Sequence, residues 1–208
     1  MLLVVLLAAA GIMSVSCKGT DHSPRLWERF LAAYPQVGVK TMTWDSPPEM
    51  IIDTNNKYTA TIETAKGNLV LELFAKDAPV TVNNFVFLTL SGFYDDLTFY
   101  RVLMGFVAQS GDPSGTGLGG PGYTIAAEIT EHKHVAGALS MVNWQQADNN
   151  ASQFAICYVD IPDFDGFYTV FGQLIGGWNT FINLTPRDPS QNPQFNGDKI
   201  IRIIITEE

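Results

Sequence analysis

Arg101 opens a run in which Phe106, Val107 and Gln109 follow before a glycine-rich stretch closes at Tyr123. A guanidinium among apolar side chains and an amide has two uses. It can pair with a carboxylate as a structural strut, its ordinary role, or present a fixed fork of charged donors to a polar group entering an apolar cleft. Residue types alone leave both open. Other chemistries are poorly served. Gly115, Gly117 and Gly120 satisfy the dinucleotide spacing GxGxxG. Pro121, Gly122 and Tyr123 follow without a helical period, so no helix N-terminus is there to take a pyrophosphate, and the glycines read as a surface loop. His132 and His134 flank Lys133 with no cysteine nearby, so solvated loop histidines are expected rather than a metal site. Cys157 stands in an apolar segment with no basic neighbour to lower its pKa, which reads as a buried thiol. No nucleophile elbow is present, and neither a cofactor nor a metal is expected.

Together with QFAICY (Gln153 to Tyr158) and DGFYTVFGQL (Asp165 to Leu174), the Phe99–Tyr123 run resembles the cyclophilin family of peptidyl-prolyl cis-trans isomerases over roughly Tyr58 to Glu208. That resemblance implies a mainly β fold, an eight-stranded antiparallel barrel capped by two α-helices. It also implies the functional use of the arginine. Rotation about the bond before proline must break amide resonance, against a barrier of about 18–20 kcal/mol. In the twisted transition state the nitrogen becomes pyramidal and gains a lone pair. A donor aimed at that lone pair and at the prolyl carbonyl favours the transition state over the planar ground state.

The roles carried over are these. Arg101 and Gln109 match the catalytic arginine and the glutamine that orients it and bonds the peptide. Phe106 and Val107 match residues lining the proline pocket, Val107 replacing methionine. Asn143 matches the residue whose backbone pairs with bound peptide like an added strand. Phe164 and Tyr168 border the pocket where the family has leucine and a histidine or other polar aromatic. Ala155 replaces the phenylalanine that floors the pocket, which leaves Phe154 to the core, and Trp144 stands where a small residue is usual. Tyr100 replaces the histidine before the arginine, and Asp163 a tryptophan found in some members. These departures keep an alternative alive: a module that holds proline-containing segments without turning them.

The elements that must position these residues can be read from periodicity. Tyr58–Thr64 and Asn68–Leu73 form a β-hairpin around Ala65, Lys66 and Gly67. Pro79 starts a helix carrying Val82, Phe85, Val86 and Leu88, ended by Gly92. Short strands are expected at Phe99–Val102, Phe106–Gln109, Leu139–Val142, Phe154–Tyr158 and Val170–Leu174. A second helix over Gly177–Leu184 and a polar loop over Pro186–Asp198 precede a final strand, Ile200–Thr206.

Upstream, Leu2 to Ser16 is apolar, uncharged and too short to span a bilayer, so residues 1–16 read as a secretory signal. Ser14, Val15 and Ser16 before Cys17 resemble a bacterial lipoprotein cleavage site, with Cys17 acylated; a cleaved soluble form and an uncleaved anchor are the alternatives. Each of the three puts the domain outside the cytoplasm, and a Cys17–Cys157 disulfide is open only without the lipid. Residues 17–55 read as a tether bearing a short amphipathic helix, started at Ser23–Pro24 and stopped at Pro35, with 36–50 extended. Residues 56–208 make one domain. The net charge of -9 with dispersed Lys and Arg gives no footprint for nucleic acid. The expected partners are proline-containing polypeptides and, through the lipid, a membrane; a monomer is expected.

Overall fold

The computed structural model describes residues 21–35, 42–142, 148–191 and 194–208. Residues 1–16, where a signal peptide is expected, and Cys17, Asn143 and Trp144 lie outside these residues.

Strand β1 (Tyr58–Thr64) buries every second side chain, and β2 (Gly67–Leu73) buries Leu69, Leu71 and Leu73 in the same way. This period of two fixes one face of each strand to the core. The two pair antiparallel from Tyr58–Leu73 to Thr64–Gly67, the hairpin the sequence expects. They belong to an eight-stranded sheet with β3 (Arg101–Leu103), β4 (Val107–Ser110), β6 (Ala138–Met141), β8 (Phe154–Cys157), β9 (Val170–Gly176) and β10 (Ile200–Glu207). Its order is β10-β1-β2-β9-β6-β8-β4-β3, antiparallel throughout, and it curls into a half-barrel. The bridge Thr98–Lys199 joins the residues that lead into its two edge strands, and Val102–Arg187 ties β3 to a segment between β9 and β10.

A small separate sheet pairs β5 (Thr124–Ala126) with β7 (Asp148–Asn150), which the periodicity did not indicate. Helix α2 (Pro79–Leu90) is buried from Thr81 to Leu90 rather than amphipathic. Its first free amides, Val80 and Thr81, donate to the Glu128 carboxylate at 3.0 and 2.7 Å, so a distant loop caps it. Phe85 on α2 meets Phe154 edge-on and Phe171 obliquely inside the half-barrel. Helix α3 (Trp178–Ile182) leans on β2 and buries Phe181.

Besides α2 and α3, the described residues include the short helix expected after Ser23–Pro24: α1 (Pro24–Ala33) is docked on the fold. Leu26 and Phe30 are fully buried in the main core, Phe30 lying 6.1 Å from the Phe87 ring of α2. Arg29 reaches the Glu207 carboxylate at 2.5 Å and the Ile51 carbonyl at 2.8 Å. Where the sequence suggests an extended tether over 36–50, the described part from Met42 onward lies against the domain. Trp44 donates its amide to Pro121 O at 2.8 Å and packs its ring edge-on to Phe87, and Asn83 accepts from the Ile51 amide at 2.7 Å. Apolar side chains, rather than periodicity, hold this segment down.

His22 fastens the start of α1: its Nδ1 accepts from the Ile205 amide at 3.0 Å. Burial pushes its pKa below the ordinary 6.5, against the pull of Asp21 and Asp95. The unfolded chain therefore takes up this proton first as pH falls, and stability is lost from about pH 6.5 down to the folded value. The melting temperature is expected to fall by a few degrees over that window, and by less in His22→Gln. Parallel pH–melting curves for the two proteins would contradict this.

Candidate active site

Register across the half-barrel assembles the site. Arg101 on β3 pairs with Gln109 on β4, and Gln109 with Ala155 on β8. Ala155 pairs in turn with Ser140 on β6, so one rung crosses four strands. Val107 stands opposite Cys157 on the next rung of the same face. The intervening residues Ala108, Phe154 and Ile156 point into the main core, while Val107, Ala155 and Cys157 form a smaller cluster on the other face with Phe106 against it. Phe154 is thus a core residue, as the sequence suggests.

Over this smaller cluster opens a cavity of about 210 Å³. Arg101, Phe106, Val107, Gln109, Ala155, Phe164 and Tyr168 all line it. Arg101 is half-buried, and its Nη1 donates to Gln109 Oε1 at 2.7 Å. Its Cζ lies 5.5 Å from the Phe106 ring centroid, a cation–π contact that further fixes the guanidinium plane. Among the expected site residues, Asn143 and Cys17 fall outside the described residues. Phe164 sits on a 3-10 turn (Pro162–Phe164) and meets Phe106 edge-on and Tyr168 obliquely at 4.9 Å, so three rings rim one end.

Cys157 is buried, and its thiol is pushed up to about 12 by burial first, then by Asp160 and Asp165. Near neutrality it stays protonated, no nucleophile. The two histidines part company. His132 stacks on Phe74 and bonds Asp77 at 2.8 Å. His134 is not the solvated loop residue that the sequence suggests: it is buried and lines the cavity. Its polar neighbours in the chain hid that role, which depends on Asp165 and Ser140 arriving from elsewhere.

The glycine-rich loop is held by three devices. Gly111 enters it at φ +89, and a Cβ there would fall 2.1 Å from the Ser152 carbonyl, so glycine is required. Asp112 then accepts from the Ser114 amide and hydroxyl at 2.7 Å each and from the Gly117 amide at 2.5 Å. Burial alone would raise this carboxyl, but those donated bonds outweigh it and hold it below the ordinary carboxylate range. Gln153 ties the loop back through Gly117 O and Gly119 O and accepts from Tyr100 OH at 2.7 Å. Tyr100, where the resemblance expects histidine, serves here as a buried bolt beside Arg101. Asp112→Ala would orphan the buried Gly117 amide and is expected to cost about 1–3 kcal/mol in urea unfolding; an unchanged midpoint would refute the caging role.

The family model described as cyclophilin type peptidyl-prolyl cis-trans isomerase/CLD matches residues 59–205. A peptidyl-prolyl cis-trans isomerase of Synechococcus elongatus is 52% identical over 149 residues, covering 72% of this chain and 97% of its own length. Isomerase B of Bacillus subtilis is 45% identical over 134 residues, 63% of this chain and 93% of that protein. Among solved structures, a cyclophilin type isomerase of Cryptosporidium parvum superposes with TM-score 0.66 at 36% identity, over 72% of this chain and 97% of that one. A second structure of that protein, determined in the presence of the dipeptide Ala-Pro, superposes with TM-score 0.65 at 37% identity, over 71% of this chain and 98% of that one. With matched sequence, matched fold and an arginine-walled apolar cavity on the same domain, the chain belongs to the cyclophilin-type peptidyl-prolyl cis-trans isomerases.

Proposed function

We propose that this isomerase turns X-Pro bonds in proteins folding outside the cytoplasm, held at a membrane by a lipid on Cys17. The observation that supports its chemistry is the Arg101 guanidinium fixed by Gln109 and Phe106 at the wall of an apolar cavity. The proline ring enters over Val107, Ala155 and Cys157, which have no polar side chain able to hold it in one isomer. Phe164 and Tyr168 close on its flank. With the ring seated, the preceding carbonyl rotates while Arg101 donates to the developing nitrogen lone pair, and Gln109 keeps the guanidinium aimed. Asn143 offers its backbone to the peptide as an added strand. No covalent bond forms, so the protein only has to bind the twisted amide better than the planar one.

An Ala-Pro dipeptide accompanied the Cryptosporidium parvum structure, which makes short Ala-Pro peptides the natural probe. Ala155 leaves the floor without an aromatic ring, which favours a looser hold on proline. The location rests on the apolar, uncharged Leu2–Ser16 stretch and the small residues before Cys17. Detergent phase partitioning tests it: wild type should enter the detergent phase and Cys17→Ser should not. Identical partitioning of the two would remove the lipid from this account.

A further inference from the structure

Buried His134 braces two walls of the cavity against each other, beside the backbone pairing of Met141 with Thr169 and of Ser140 with Val170 that begins where the first wall ends. One wall is the loop from Pro162 to Tyr168; the other is β6 at Ser140, where a register shift between Leu139 and Ser140 turns the strand. The Asp165 carboxylate receives both the His134 amide at 2.9 Å and the ring Nδ1 at 3.0 Å. The opposite ring nitrogen, Nε2, lies 2.9 Å from Ser140 Oγ. With a carboxylate on Nδ1, that nitrogen carries the proton, and Nε2 accepts from the serine hydroxyl. The faces of the ring are walled edge-on by Phe164 and Tyr168, at 5.7 and 6.2 Å between centroids.

We propose that His134, in its neutral Nδ1–H tautomer, is a positioning residue that locks the Phe164–Tyr168 loop onto β6 and so sets the width of the proline pocket. This rests on the isomerase reading of the cavity and adds to it a pH limit on substrate binding. The charged and titratable groups around the ring are Asp165 and Lys133, with Tyr168 against its face and Arg101 and Cys157 on the same cavity; Asp160 bonds the Ala136 amide nearby. Burial lowers the His134 pKa from 6.5, against the hydrogen bond and charge of Asp165, so the neutral form holds at neutral pH. Protonation makes Nε2 a donor, so Ser140 must turn its own proton away, toward Met141 O at 3.3 Å. It also puts a second positive charge in a cavity that already holds Arg101.

Long-range 1H–15N spectra of the wild-type protein at pH 7.5 should show the Nδ1–H tautomer for His134; an Nε2–H tautomer overturns the proposal whatever the activity. His134→Phe keeps the ring volume and loses both bonds. Its KM for an Ala-Pro peptide should rise roughly fivefold to tenfold, the worth of one buried hydrogen bond, with kcat nearly constant. Should that variant not fold, His134→Gln, which keeps a donor and an acceptor, carries the test. Wild-type peptide affinity should fall as pH drops through the folded-state pKa of His134, which lies below the ordinary 6.5, and His134→Gln should bind near wild-type strength with that fall absent. An unchanged KM in His134→Phe, or the same pH limb in His134→Gln, refutes the positioning role. A wild type that binds the peptide without turning it would instead sink the isomerase reading, leaving tautomer and affinity to judge this one.

Discussion

Arg101→Ala is expected to lower kcat/KM toward an Ala-Pro peptide about 10²–10³-fold, the scale of losing one donor aimed at a developing charge. The thermal midpoint should barely move, since the side chain is half-buried and its bonding partner Gln109 can turn to solvent in the opened cavity. The loss should fall on kcat, because the guanidinium acts on the twisted amide, while the floor of Val107, Ala155 and Cys157 still receives the ring. Arg101→Lys should recover little: an ammonium is a point charge and cannot hold Gln109 with one donor while aiming another in a fixed plane. Gln109→Ala should fall between, about tenfold, since Phe106 still restrains the guanidinium. Stopped-flow protease-coupled rates decide this, and an Arg101→Ala protein within twofold or so of wild type would reject the arginine's role.

The largest effect on stability expected of a single substitution lies far from the cavity, at Phe30→Ala. This side chain is fully buried and touches the rings of Trp27, Tyr34 and Phe87. Truncating it leaves a cavity at the joint between α1 and α2 and should cost about 3–5 kcal/mol in urea unfolding. A chain begun at residue 56 should suffer more, losing Leu26 and Phe30 together with the Arg29–Glu207 pair, although the family match starts only at 59. Glu207 would be left with Tyr58 and Asn56 as partners and no cation. Were the shortened chain as stable as the full one, α1 would be an ornament.

How far the sequence foretells this depends on whether a residue's fate is local. β1 announces itself by an alternation that survives into the fold, and β10 by a run of isoleucines that the sheet buries in part. The site residues follow the same logic: Val107, Gln109, Ala155 and Cys157 share a face because strands alternate, so a motif fixes their common cavity. His134 could not be read this way, since its environment comes from Asp165 and Ser140 across two loops. The β5–β7 pair is too short and polar to leave a period. The docking of 42–52 was hidden by Pro47 and Pro48, which mark an extended chain but say nothing of what it lies against. Tyr100 reads as a departure from a motif until Gln153 and the glycine loop are seen to need its hydroxyl.

Magnetisation-exchange spectroscopy on a short Ala-Pro peptide, with catalytic amounts of the full chain, reads the rotation itself without a coupling enzyme. Uncatalysed interconversion takes tens to hundreds of seconds. The account predicts cis and trans cross-peaks within the seconds of the experiment for wild type and none for Arg101→Ala at equal concentration. Peptide resonances that shift on binding while both proteins leave the exchange slow would contradict it, and would make the cavity a holder of proline segments.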